Sequence, residues 1–113
     1  MYLDSNRHIL QEIISFMETN YASEISLDTL SQKVAMSKFT FIKVFRRFCG
    51  ITPMQYLLNI RLNQSYAKLI RGASVTETAF DCGFNNLSYF TRQLKKKFYI
   101  NPRQVKKKVT DHY

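Results

Sequence analysis

TPMQYLLNIRLNQSYAKLI, residues Thr52–Ile70, lies in the middle of this 113-residue chain and decides how the rest is read. Thr52 is a good N-cap residue, Pro53 fits the first helical position, and Gln55 can close a capping box back onto Thr52. Gly72 stands just past the far end, where a helix stop is expected. The spacing predicts one helix over 53–70, which is 18 residues or about 27 Å at about 1.5 Å per residue. Its apolar residues Met54, Leu57, Leu58, Leu62, Tyr66, Leu69 and Ile70 spread over more than half the helix surface, wider than one packing neighbour requires. The stretch therefore reads as a shared spine with a module at each end.

The flanks carry nearly the same text twice. SLDTLSQKVAMSKFTFIKVFRRFCGITP precedes the spine, and SVTETAFDCGFNNLSYFTRQLKKKFYINP follows it. With Asn85 as one extra residue in the second copy, Phe41 aligns with Phe90, Lys43 with Arg92, and Arg46-Arg47 with Lys95-Lys96. Ile51 then aligns with Ile100, and Pro53 with Pro102, 49 positions later. Self-similarity at this period is the signature of a repeated supersecondary unit.

A chain of this length is one domain by default, and 45% hydrophobic residues are enough for a core. No apolar run approaches the ~18 residues of a membrane span, and the polar N-terminus has no signal-peptide core. With three glycines, two prolines and no useful strand-like alternation, the fold is expected to be all-α, with about seven helices. Cys49 and Cys82 fall at apolar positions of different helices, without metal-ligand spacing, and read as structural thiols in a reducing cytosol.

The net charge of +9 is unevenly placed. Residues 1–36 carry −3, 37–50 carry +4, 51–74 carry +3, 75–86 carry −2 and 87–113 carry +7. A surface built only for solubility would mix the signs. Basic groups concentrated late in each repeat point to a polyanion, most simply nucleic acid.

Taken in order, Asp4 or Ser5 caps a first helix to about Asn20, with Ile9, Ile13, Phe16 and Met17 inward; its acidic groups make it a packing element. Ser26 caps a second helix, Leu27 to Val34. After a turn at Ala35-Met36, Ser37 caps a third helix to about Cys49, and Gly50 stops it. At 100° per residue, Phe41, Val44, Phe45, Phe48 and Cys49 form its core face. Phe39, Ile42, Lys43 and Arg46 form the other, where two apolar groups beside two cations favour a contact surface. Beyond the spine, Ser74 and Glu77 make a capping box for a fifth helix with Val75, Thr78, Ala79 and Cys82 inward, and Gly83 supplies a tight turn. Asn86 caps the sixth helix, Leu87 to Phe98. Leu87, Phe90, Leu94 and Phe98 lie on one side of it; Ser88, Thr91, Arg92 and Lys95 lie on the other. Those four match Phe39, Ile42, Lys43 and Arg46 position for position. Tyr99 takes the place of Gly50 and is expected in the left-handed conformation. Asn101 and Pro102 open a last short helix, followed by a basic tail with Lys106, Lys107 and Lys108.

A short capped helix, a tight turn and a second helix with a basic outer face make a helix-turn-helix. It occurs twice here, over about 28–49 and about 75–98, joined by the linker helix at about 53–70. The chain strongly resembles the DNA-binding domain of the AraC/XylS family of bacterial transcription regulators. The run VTETAFDCGFNNLSYFTRQLKKKFYINP carries most of the likeness; the first copy and the Arg61-Leu62 pair agree, and the resemblance covers about residues 6 to 106 of the 1–113 domain. It implies seven helices and two recognition helices entering the major groove. Carried over residue by residue, it implies base reading by Phe39, Ile42 and Lys43 in the third helix and by Ser88, Thr91 and Arg92 in the sixth. It also implies RNA polymerase as a partner, a cytoplasmic, nucleoid-associated location and no cofactor. Three positions depart from the family: Tyr99 and Ala35 stand where glycine is usual or frequent, and Thr78 replaces a usual aliphatic residue.

The expected function is sequence-specific binding of double-stranded DNA. A guanidinium can bridge guanine O6 and N7, which suits Arg92. Lys43 suits a guanine or a phosphate, and Phe39 and Ile42 suit thymine methyls. Ser37, Arg46, Lys95, Lys96 and the amides at helix starts suit phosphates. One chain carries both recognition helices, so a monomer should suffice and the site need not be palindromic. A non-specific basic module for RNA or an anionic membrane accounts for the charge but not for the repeat or the caps. An enzyme is disfavoured: His8 and His112 lie at opposite ends, and no nucleophile, metal or phosphate-loop pattern appears. Two lengths fit the sequence, a compact regulator or the C-terminal domain of a longer one with a sensor or receiver domain.

Overall fold

The computed structural model describes residues 2–105, and all its regular elements there are helical. The order is α1 (Tyr2–Asn20), α2 (Leu27–Lys33), α3 (Lys38–Cys49), α4 (Pro53–Ile70), α5 (Val75–Asp81) and α6 (Leu87–Phe98). Residues 102–105 begin a seventh helical segment. The chain divides into two compact units, Met1–Ile60 and Arg61–Tyr113, with the division inside α4. The lysines of the basic tail lie outside the described residues.

The local signals act where they stand in the sequence. Thr52 N–H donates to Gln55 Oε1 at 3.0 Å, and Gln55 N–H to Thr52 Oγ1 at 3.3 Å, which closes the capping box at the start of α4. Ser26, Ser37, Ser74 and Asn86 each accept a main-chain N–H from the residue three positions on. Asn101 and Gln104 form a second reciprocal box before the last segment, both bonds at 2.9 Å. One expected cap is corrected: α1 already runs from Tyr2, so Asp4 and Ser5 stand inside the helix.

In the first unit, Leu10, Ile13, Met17, Ile25, Leu30, Phe41, Phe45 and Leu57 make the core. Phe45 meets Phe41 and Tyr56 edge-on, with centroids 5.8 Å and 5.6 Å apart. Leu10 belongs to this core, whereas Ile9 and Phe16 are only partly covered. Phe48 is 37% exposed and is no part of the core face expected of it. A helical stripe closes only where a neighbour covers it, and Phe48 lies at its edge.

The second unit buries Leu62, Leu69, Ala79, Cys82, Phe84, Phe90, Leu94 and Val105. Tyr66 stacks on Phe98 at 4.5 Å, and Phe84 lies 4.8 Å from Phe90. Leu87, expected inward, is 38% exposed at the start of α6. Burial pushes the thiols of both Cys49 and Cys82 up from their ordinary pKa, so both stay protonated and unreactive at neutral pH.

Two buried hydroxyls of this unit differ in a way that matters. Ser65 Oγ donates to the Arg61 carbonyl at 2.7 Å. Thr78 is 1% exposed, and its Oγ1 has no hydrogen-bond partner. An unsatisfied buried polar group costs about 1–3 kcal/mol. Thr78→Val keeps the branched shape and removes the hydroxyl, so it should stabilise the protein by about 1–2 kcal/mol. Denaturant unfolding checks this; a less stable variant would show that the hydroxyl is satisfied in solution.

Candidate nucleic-acid interface

The backbone repeats as the sequence does. After α2, Met36 N–H reaches the Ser31 carbonyl at 3.1 Å and Ala35 N–H the Gln32 carbonyl at 3.1 Å. After α5, Phe84 N–H reaches Ala79 at 2.9 Å and Gly83 N–H reaches Phe80 at 3.1 Å. The pivots are Ala35 at φ 53° and Gly83 at φ 94°. Each pair of bonds returns the chain against its own helix end, closing the carbonyls that a helix terminus leaves open. The next helix then starts within a few residues, which is the compact turn a helix-turn-helix needs.

In the first unit, Ser37 starts α3 as its N-cap. Its hydroxyl accepts from Thr40 N–H at 3.1 Å and donates to Thr40 Oγ1 at 2.9 Å. Phe39, two residues later, is 80% exposed, an unusual placement for a phenylalanine without a partner. Together with Ile42, Lys43, Arg46 and Arg47 it lines an open depression of about 600 Å³. Ile42 is half-buried in its wall, while Lys43 and Arg46 are exposed. Arg47 shares this surface, although its place in the sequence was not singled out for DNA contact. Its alignment with Lys96 was the available signal.

In the second unit, Ser88, Arg92, Lys95 and Lys96 are exposed on α6. Thr91 is half-buried, and its hydroxyl donates to the Leu87 carbonyl at 2.9 Å. That bond uses the hydroxyl proton and leaves the oxygen able only to accept. Thr91 and Leu87 also line a depression of about 390 Å³ with Val75, Thr76, Asn101, Pro102 and Arg103. Ile42 and Thr91, aligned in the repeat, are therefore both partly covered, and the flanking positions 39 and 88, 43 and 92, and 46 and 95 are open.

Charge follows the same plan. Lys38 pairs with Asp28 at 3.1 Å, both well exposed, a contact worth little in water. Lys43, Arg46, Arg47, Arg92, Lys95 and Lys96 meet no carboxylate among the described residues. Each unit thus presents unneutralised cations along one helix. None of the described helices is long and apolar enough to cross a membrane, and the described residues hold no cluster of His, Cys, Asp and Glu suited to a metal.

Comparison with known proteins places this architecture. A protein-family model described as a helix-turn-helix domain matches residues 30–108. The chain is 32% identical over 102 residues to an uncharacterized HTH-type transcriptional regulator in the cgkA 5′ region of Pseudoalteromonas carrageenovora, covering 90% of this chain and 61% of that protein. It is 32% identical over 97 residues to the HTH-type transcriptional activator RhaS of Mannheimia succiniciproducens, covering 85% of this chain and 36% of RhaS. The chain thus spans less than two thirds of the length of these relatives. A crystal structure of a probable AraC family transcriptional regulator from Rhodopseudomonas palustris superposes with a TM-score of 0.82 at 27% identity, covering 90% of this chain and 97% of that one. The doubled helix-turn-helix, its caps and these matches together show that the chain belongs to the AraC-type family of helix-turn-helix DNA-binding domains of transcription regulators.

Proposed function

We propose that the chain binds double-stranded DNA sequence-specifically as a monomer and regulates transcription, with α3 and α6 each entering a major groove. One observation carries this reading: two capped helices, each following the same turn, expose unpaired cations at matching positions. In α3, Phe39 and Ile42 meet thymine methyls and Lys43 meets a guanine or a phosphate. In α6, Arg92 bridges guanine O6 and N7, with Ser88 and Thr91 beside it. Ser37, Arg46, Lys95 and Lys96 hold phosphates. At Ser37 the hydroxyl proton is already given to Thr40, so the first-turn amides of α3 supply the donors. A relative named as a transcriptional activator supports action on RNA polymerase. The greater length of both relatives supports coupling to a sensor or receiver domain.

The test compares two cations of α6 on a duplex selected from a random pool. Arg92→Ala should cost about 1–3 kcal/mol on that duplex and relax the preference at one base pair. Lys96→Ala should weaken binding to selected and scrambled duplexes alike. Equal, sequence-independent losses in both variants would favour a non-specific basic module instead.

A further inference from the structure

Tyr99 follows α6 in the left-handed conformation, φ 62° and ψ 20°, and its N–H reaches the Lys95 carbonyl at 2.7 Å. At the matching end of α3, Gly50 has φ 81° and ψ −14°, and its N–H reaches Arg46 at 2.8 Å. A Cβ added to Gly50 would meet nothing within 4 Å, so backbone conformation rather than space favours glycine there. Gly72 and Gly83 also hold positive φ with glycine. Tyr99 alone among the described residues places a large side chain in this strained region. Internal packing does not repay it, because Tyr99 is 87% exposed. A bulky residue held in such a conformation with an open side chain points to a contact outside the molecule.

Its position says which contact. Ser88, Thr91, Arg92 and Lys95 follow one another at helical spacing along one stripe of α6, and Tyr99 is the residue directly after the helix. Position 99 lies eleven residues beyond Ser88, about 16 Å along the axis. The major groove is only about 12 Å wide. With the first turns of α6 on base edges, its far end passes the groove wall, where phosphates stand and where Lys95 and Lys96 are exposed. We infer that the Tyr99 hydroxyl donates a hydrogen bond to a DNA phosphate at the C-terminal end of α6, an uncharged anchor bought with backbone strain. The inference rests on α6 being a DNA-reading helix.

Three versions of the 113-residue chain test it, the wild type, Tyr99→Phe and Tyr99→Gly, on the selected duplex and on a scrambled one over a range of salt. Tyr99→Phe should weaken binding to both duplexes about tenfold. The slope of affinity against salt should stay unchanged, since a neutral donor releases no counterion. Tyr99→Gly should show at least the same loss while raising Tm, because the strain is gone. Wild-type affinity in Tyr99→Phe overturns the inference whatever Tyr99→Gly does. Wild-type affinity in both variants means that the phenol serves a protein partner or none. A wild type that does not distinguish the two duplexes defeats the reading of the protein as a specific DNA binder, a different failure from the loss of this one contact.

Discussion

Phe90→Ala should destabilise the second unit by about 3–5 kcal/mol, the usual cost of emptying a fully buried phenylalanine site. Phe90 is 0% exposed, and its ring lies 4.8 Å from that of Phe84, itself buried. It stands on the inner side of α6, two residues from Arg92 on the outer side. The loss is a large share of the roughly 5–15 kcal/mol available to a small domain. DNA binding through α6 should fail with it, although no proposed DNA-contacting residue has been touched. Leu87→Ala, at a site 38% exposed, should cost under about 1 kcal/mol and serves as the control. Denaturant unfolding followed by circular dichroism separates the two; similar small losses in both would mean that α6 is not anchored through Phe90.

The second large effect is on DNA affinity and comes from salt. Each cation that neutralises a phosphate contributes about −0.9 to the slope of log affinity against log salt. Arg46, Lys95 and Lys96 as phosphate contacts give a slope of about −2.7, and adding Lys43 and Arg47 gives about −4.5. A fourfold rise in salt should therefore weaken binding by about 40-fold to about 500-fold. Lys96→Ala should make the slope shallower by about 0.9. Each of these side chains is exposed and meets no carboxylate among the described residues, so its charge is available to DNA. A slope near zero, or one unchanged in Lys96→Ala, would mean that these cations do not meet phosphates.

Much of the second unit was legible through the first. Tyr99 is a difficult position to read alone, since tyrosine rarely takes positive φ, yet its alignment with Gly50 placed it correctly. The turn at Gly83 was read from the glycine itself, and the structure gives its counterpart Ala35 the same positive φ, with one residue, Asn85, accommodated before the cap at Asn86. Repetition turned a weak local signal into a comparison between two copies. Arg47 was within reach of the same reading, by its alignment with Lys96 and by standing one turn after Lys43, and the depression it shares with the Phe39–Arg46 side chains brings it into the candidate interface.

The sequence by itself determined the helices, most of their ends and the outward direction of the polar stripes of α3 and α6. Caps act between residues three apart, and a helical face repeats every few residues, so both are written in short stretches such as Ser37–Thr40 and Asn86–Tyr89. Tertiary structure decided how far each apolar stripe was covered. Leu10 closed into the core while Ile9 remained partly open, Phe48 and Leu87 were left at its edges, and Ile42 was half-hidden beside a phenylalanine that stands free. It also left the Thr78 hydroxyl buried without a partner. Burial and satisfaction depend on which distant side chains arrive around a residue, and the periodicity of one helix contains no record of its neighbours.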